Sequence, residues 1–284
     1  MNGRKMSQIQ ILDWISNLLL LALFIFLPFE IWQRYKNGKL TWRSVREMGA
    51  SISPFIPTLL LGGIVLGFVV WLFSGAAVLA PWQIPTNPLT IFLAVLLVDL
   101  CYYLDHRCGH RIRVYWAVSH SVHHSSNQFD QTTGLRISAI DGFTSPWFYT
   151  PVILIGFDPL LVASCLGLVL AYQQWLHTET IGKLGWFDVV FNSPSNHRVH
   201  HGSQPQYIDK NYGAILMVWD HLFGTYEPEG EEVTYGLIEP LKSSNPITVH
   251  IAEGAKLVRD LWATPSWRSR MAMLFRPPGY VPDR

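Results

Sequence analysis

The sequence predicts an all-α fold: a multi-pass transmembrane helical bundle of about four to five membrane segments, with a cytoplasmic helical cap that holds a histidine-rich dinuclear metal site. Three observations predict it. Only 14% of the 284 residues are charged, 49% are hydrophobic and the mean hydropathy is +0.20, whereas a soluble domain carries roughly 25% charged residues. Apolar runs of membrane-spanning length recur as far as residue 177. Nine of the 11 histidines fall between residues 106 and 201. The same composition argues against intrinsic disorder and against a simple soluble enzyme. A net charge of +1 argues against a nucleic-acid binder held by phosphate contacts. The three cysteines (Cys101, Cys108 and Cys165) form no CxxC pair, so any bound metal falls to histidine.

Residues 11–32, 55–80 and 89–104 each approach or exceed the roughly 20 apolar residues that a spanning helix needs. Residues 145–157 and 159–177 are two further apolar runs, separated by Gly156-Phe157-Asp158-Pro159. That turn sequence predicts a hairpin with Pro159 at the start of its second helix. The first arm is too short to cross untilted and is expected to insert only in part. Met1–Ser7 carries Arg4 and Lys5, but the long apolar run and the lack of a small-residue cleavage site argue against a cleaved signal.

Positive charge sets orientation. Arg34, Lys36, Lys39, Arg43 and Arg46 crowd residues 33–50, and residues 81–88 carry no charge, which places the first segment in the cytoplasm and the second outside. The expected organisation is then N-terminal transmembrane helices over 1–104, cytoplasmic histidine boxes over 105–144, a membrane hairpin over 145–177, and a cytoplasmic cap and tail over 178–284. This describes an integral multi-pass protein of the cell inner membrane in a bacterium, or of the endoplasmic reticulum in a eukaryote, with every histidine on or beside the cytoplasmic side. In the tail, Pro228–Glu232 reads as a solvated turn. Residues 247–262 read as an amphipathic helix, set either on the membrane surface or against the cap.

The histidines fall into His106-x3-His110, His120-x2-His123-His124 and His197-x2-His200-His201, with His177 at the end of the last apolar run. At this histidine frequency one HxxHH is expected about 0.02 times by chance, and the chain has two. Residues i, i+3 and i+4 share a helix face, so each box can aim two or three imidazoles at one point. Imidazole suits iron, zinc, copper and nickel, and nine are too many for one ion and suit two. His221 and His250 stand alone and are set aside. Asp99, Tyr103, His106 and His110 lie within about 60° of one another on a helix, so Asp99 is either a group that orients ligands or a buried polar contact between helices. Asp105 and Glu179 are further carboxylates that could orient ligands. Gln173 and Gln174, one turn before His177, read as packing or hydrogen-bonding residues.

The stretch from Asp99 to Arg136, DLCYYLDHRCGHRIRVYWAVSHSVHHSSNQFDQTTGLR, resembles the fatty acid hydroxylase / sterol desaturase superfamily of membrane non-haem di-iron enzymes. Residues 175–227, with LHTE, NSPS before the final box and IDKNYG…WDHLFGTY after it, are similar to the alkylglycerol monooxygenase branch. The resemblance covers roughly residues 90–284, with the hydroxylase-type domain at about 90–230. It implies that His106, His110, His120, His123, His124, His177, His197, His200 and His201 ligate two iron ions. One departure is Asn196, where relatives often carry a further histidine; an outer contact to the site and a lost ligand both remain open for it.

The resemblance also implies O2-dependent hydroxylation of an aliphatic C–H bond in an acyl, alkyl-ether or sterol-like lipid, or desaturation at the same site. General acid–base chemistry cannot break such a bond, and the protein's task is to position substrate and exclude water. The lipid is expected to reach the metals through an apolar tunnel among the membrane helices. Electrons must come from a separate donor, a reduced pterin, cytochrome b5 or a ferredoxin, because the chain has no haem module, CxxC cluster or dinucleotide fingerprint. Two other classes fit less well. A His-site metal transporter places its ligands near the bilayer midplane, and a membrane zinc hydrolase needs about three ligands.

Overall fold

The computed structural model describes residues 7–281. The reading of the first residues as lacking a cleaved signal concerns positions that, apart from Ser7, lie outside that range. The chain is helical throughout: among the described residues the only β pairing is two isolated bridges, Phe191 with Leu216 and Gly202 with Tyr235.

Four helical segments are long and apolar enough to cross a membrane among the described residues. The first is α1 (Gln8–Lys36), which starts on a capping box between Ser7 and Gln10. A short helix, α2 (Trp42–Ile52), follows and leads into α3 (Phe55–Leu79), together one apolar segment. Next come α4 (Pro88–Arg111) and α5 (Pro159–Tyr172). Both start with a side-chain cap followed by proline at the first helical position. Asn87 caps α4 and Asp158 caps α5, each accepting from two backbone N–H groups. Proline is at home there because its missing N–H has no helical partner in any case.

In the hairpin expected at residues 145–177, the second arm is the long helix α5 and the first, read as too short to cross untilted, consists of short helical turns. Residues 145–154 form two short turns, Ser145–Tyr149 and Thr150–Leu154, opened by Pro146 and Pro151. Five residues of helix rise only about 7.5 Å, far short of a bilayer. This arm packs between α3 and α4, and its far end is stitched to the connecting loop by Ile84 N–H to Gly156 O (2.8 Å) and Trp82 Nε1 to Ile155 O (2.9 Å). Gly156 has φ +104°, and a Cβ there would sit 2.7 Å from the Trp82 ring.

The bundle core is apolar and continuous, with Phe73, Val98, Ile153, Leu161, Cys165 and Val169 among its buried members. The outward faces of α1 and α3 are equally apolar but bare: Phe24, Ile25, Leu60 and Val78 are all largely exposed. A water-soluble protein does not leave such a belt uncovered. The molecule is a membrane helical bundle.

One end of the bundle carries everything chemical. There α1, α4 and α5 terminate, α2 lies across, and residues 113–144 and 177–281 assemble into a cap. Buried polar clamps tie the helix ends to this cap. Glu30 of α1 accepts from Gln131 N–H (2.8 Å) and Thr178 Oγ1 (2.5 Å). Arg34 reaches Asp130 and Gln128. From α2, Glu47 pairs with the fully buried Arg136 at 3.2 Å, and Ser51 supports the same guanidinium. Breaking a buried pair by deleting one partner strands the other charge. Glu47→Ala should therefore cost about 3–5 kcal/mol, read as a lowered thermal midpoint in detergent. Replacing both partners, Glu47→Leu with Arg136→Met, should recover most of the loss.

Candidate metal centre

All nine clustered histidines converge in the cap, and they divide into two neighbouring groups. His106, His110, His120, His124 and His200 form one; His123, His177, His197 and His201 form the other. Within each group the donor nitrogens lie within 4.8 Å of one another. The groups touch through His124 and His201, whose rings stack at 4.3 Å.

The division follows from helix geometry. Residues i and i+4 are separated by about 40° around a helix, whereas i+3 lies about 60° to the other side. In the box at 120–124, His120 and His124 therefore serve one group and His123 the other. In the box at 197–201, the pattern is reversed: His197 and His201 serve the second group and His200 the first. Each HxxHH box thus bridges both groups, a refinement of the sequence reading, in which each box aims at a single point. His106 and His110, also i and i+4, lie on the last turns of α4, which runs unbroken across residues 104 and 105. The final box rides on α6 (Pro194–His200), capped by Ser193. A wide π turn over Trp116–His120 precedes the short helix Ser121–His124. Such turns concentrate at functional sites because they re-aim side chains.

Four imidazoles are oriented by backbone carbonyls. The Nδ1 atoms of His106, His123, His177 and His200 donate to Tyr212 O (2.9 Å), Arg136 O (3.3 Å), Gln173 O (3.1 Å) and Lys210 O (3.0 Å). A carbonyl can only accept, so these bonds fix the proton on Nδ1 and leave a bare lone pair on Nε2. The consequence is clearest for His123 and His177. Their Nε2 atoms face each other at 3.3 Å with no proton to share. Nor does protonation relieve the contact, because burial pushes His123 down to about 4 and His177 well below the ordinary histidine value. Burial also lowers His120, His124, His197, His200 and His201. The Nε2 atoms of His106 and His201 are buried without any hydrogen-bond partner. Opposed lone pairs in a dry pocket suit a cation between them, and the two groups fit one cation each.

The carboxylates expected near the metals have other work. Asp99 accepts from Ile215 N–H, Leu216 N–H and Trp219 Nε1, and so holds the 215–219 segment against α4 as a buried polar contact. Tyr103 bonds Thr225 and Arg107. Asp105 accepts from Tyr115 and Ser145, and Glu179 is exposed. Among the described residues, none of these four hydrogen-bonds a histidine. Asn196 lies outside both groups; its Nδ2 donates to Asp188 O (2.6 Å) and Phe191 O (3.2 Å), anchoring the start of α6. Gln173 bonds within its own helix. His221 and His250 bond backbone carbonyls away from the cluster.

Two of the four orienting carbonyls lie in the loop 209–213. Asp209 and Asn211 sit in the left-handed region, at φ 61° and 56°, where Asn and Asp are the non-glycine residues most at ease. Asn211 bonds Asn196 O and Glu227 O, and Asp220 accepts from Tyr212 and Gly213 N–H. That scaffold aims Lys210 O and Tyr212 O at the histidines. The Asp-Lys-Asn-Tyr-Gly run is the signal for it in the sequence. Asp209 Oδ1 is also 3.9 Å from His110 Nδ1. Gly134 meets a similar demand for space, since a Cβ there would lie 2.9 Å from His177 Nδ1.

A cavity of about 1050 Å³ reaches His110, His124, His200 and His201. Its wall includes Trp116, Ile208, Leu237 and Met273. Its far side is walled by the C-terminal helices α7 (Pro246–Ala263) and α8 (Trp267–Phe275).

Residues 91–225 match the family described as fatty acid hydroxylase. The chain is similar to alkylglycerol monooxygenase of Homo sapiens, with 36% identity over 242 residues, 85% of this chain and 53% of the relative. It is 30% identical over 138 residues to the ornithine lipid hydroxylase OlsE of Rhizobium tropici, covering 48% of this chain and 41% of that one. It is 31% identical over 140 residues to a Delta(7)-sterol 5(6)-desaturase of Eremothecium gossypii, covering 48% and 37%. The chain spans about half the length of the alkylglycerol monooxygenases it matches. No solved structure matches it significantly.

The neutral imidazoles make stability pH-dependent. Between about 4 and the ordinary value of 6.5, an unfolded His123 binds a proton and the folded one does not. Stability of the metal-free protein should therefore fall as pH drops through this window, by up to about 1.4 kcal/mol per unit for each such histidine. Thermal unfolding after chelation, run from pH 7 to pH 4, should show that slope, and His123→Leu should reduce it.

Proposed function

Because the chain belongs to the fatty acid hydroxylase family, we propose that it is an O2-dependent di-iron monooxygenase that hydroxylates an aliphatic C–H bond of a membrane lipid. The observation that carries the reading is the pair of buried imidazole groups, five and four strong, beside a cavity in the cap of a membrane bundle. The five-member group would hold one iron and the four-member group the other. Bound iron would supply the activation of O2 that an unactivated C–H bond requires.

The chain's own residues do the rest. Carbonyls at 136, 173, 210 and 212 hold four imidazoles in the tautomer that presents Nε2, so little reorganisation accompanies ligation. Phe129 packs on His177, His197 and His201, and Trp116 on His110 and His124, keeping water from the nitrogens. Trp116, Leu237, Ile238 and Met273 offer an apolar wall along which an acyl or alkyl chain can lie beside the histidines. The polar rim, with Ser203, Ser266 and Ser269, suits the headgroup end of such a lipid.

The bundle end that bears the histidines also bears Arg34, Lys36, Arg43 and Arg46, which supports a cytoplasmic site by the positive-inside rule. A separate cytoplasmic reductant, a pterin, cytochrome b5 or ferredoxin, would then deliver the electrons. Desaturation at the same site is the second reading, supported by the similarity to a sterol desaturase.

The test is turnover of purified protein in lipid discs with iron, O2 and a reductant. The expected product gains one oxygen atom; loss of two hydrogens would transfer the assignment to desaturation. One zinc per chain, or turnover without O2, would refute it. Leu237→Trp, which fills the cavity, should lower kcat/KM for a long-chain lipid by about tenfold or more with iron content unchanged.

A further inference from the structure

Helices α7 and α8 close the cavity, and α7 presents three distinct faces. Glu253, Lys256, Asp260 and Ala263 line the cavity. Leu257 is buried, and a Cβ added at Gly254 would lie 3.7 Å from the carbonyl oxygen of Ala117 in the π turn. Opposite the cavity, Ile247, Ile251, Ala255, Val258 and Trp262 fall within about 80° of one another. That outward stripe carries no charge, and its residues are exposed, Trp262 at 82%. In α8, Trp267 at 69% and Phe275 at 59% extend the bare apolar surface.

Two further observations identify what covers it. The helical pair is joined to the membrane bundle at its exit. Arg113, two residues beyond the end of α4, donates its N–H to Arg276 O at 3.0 Å, and its guanidinium pairs with Asp260. The helical pair is therefore tethered at the end of a helix that itself has membrane-spanning length. Residues 261–281 also contain Arg268, Arg270 and Arg276, all exposed, and no acidic residue. Exposed tryptophans, aliphatic side chains and arginines in one helical pair match the interfacial region of an anionic bilayer.

We propose that α7 and α8 form a membrane-surface portal: their outer face docks into the headgroup region of anionic lipid, and their inner face opens the bilayer edge onto the histidine cavity. The docking stands on geometry and charge alone. The entry role rests on the lipid-hydroxylase reading above. In this arrangement a lipid slides sideways from the leaflet between α8 and the tail at Pro277–Tyr280, polar end towards the Lys256–Glu239 pair. It needs no passage through the packed core of the bundle.

The test uses the iron-loaded protein in discs containing anionic lipid. Nitroxide labels are placed through Ile251→Cys, Val258→Cys and Trp262→Cys, with the native Cys101, Cys108 and Cys165 replaced by alanine. Labels on the stripe should be more accessible to O2 than to a water-soluble nickel chelate, and a label at the exposed Glu231 should show the opposite. Nickel accessibility equal to that at Glu231 overturns the docking. Shielding from both reagents overturns it too, in favour of a protein partner or a second copy. For the entry role, Ile251→Glu with Val258→Glu should raise KM for bilayer lipid at least about tenfold and leave turnover of a short-chain, water-soluble analogue unchanged. An unchanged KM overturns the portal. Should the unmodified protein turn over neither substrate, the hydroxylase reading fails, and the label result still decides the docking.

Discussion

The structure depends on one constraint: buried imidazole nitrogens must face one another without a proton between them. Each of the nine clustered histidines is largely withdrawn from water, which disfavours its charged form, and four are locked as Nδ1–H tautomers by main-chain carbonyls. Such an assembly is costly without a cation. Its cost explains the density of polar clamps around it. Glu30, Glu47, Arg136, Asp220 and Arg198 each make buried or half-buried bonds that fix a cap segment. Arg136 joins the two systems, since its guanidinium pairs with Glu47 of α2 and its carbonyl orients His123. The positions of the membrane helices and of the imidazoles are thus coupled through single residues.

Much of this was legible in the sequence. Low charge, apolar runs and a proline at a helix start, Pro159, are local signals, and they predicted the spanning helices. The two HxxHH boxes and HxxxH likewise predicted eight convergent imidazoles, because helical spacing is a local property, and His177 joined them from the end of the last apolar run. The assignment of each histidine to one of two groups was legible in principle too. It needs only the angular difference between i+3 and i+4, with the two helices approaching from opposite sides.

Long-range contacts were not legible. Asp99 shares a helix face with His106 and His110, and spacing alone suggested a partner for the metals. Its actual partners, at 215, 216 and 219, lie more than 100 residues away. The groups that orient the imidazoles are main-chain carbonyls, which leave no side-chain signature. Only the left-handed conformations at Asp209 and Asn211 leave a trace in residue type. Apolar composition showed the arm at 145–157 to be too short to cross untilted, but not that Pro146 and Pro151 open two separate short turns in it. The cavity's direction depends on how α7 and α8 fold back on residue 113, a contact between distant parts of the chain.

The central claim is that two cations sit in adjacent sites, one ligated by five histidines and one by four, each through nitrogens already facing inward. It is tested most directly by an electron-density or cryo-microscopy map of the iron-loaded protein in lipid discs, with anomalous scattering at the iron edge where crystals permit. The account predicts two peaks, one within each histidine group, with His106, His123, His177 and His200 ligating through Nε2. A single shared ion, or ligation by those four through Nδ1 with their carbonyl bonds broken, would contradict it.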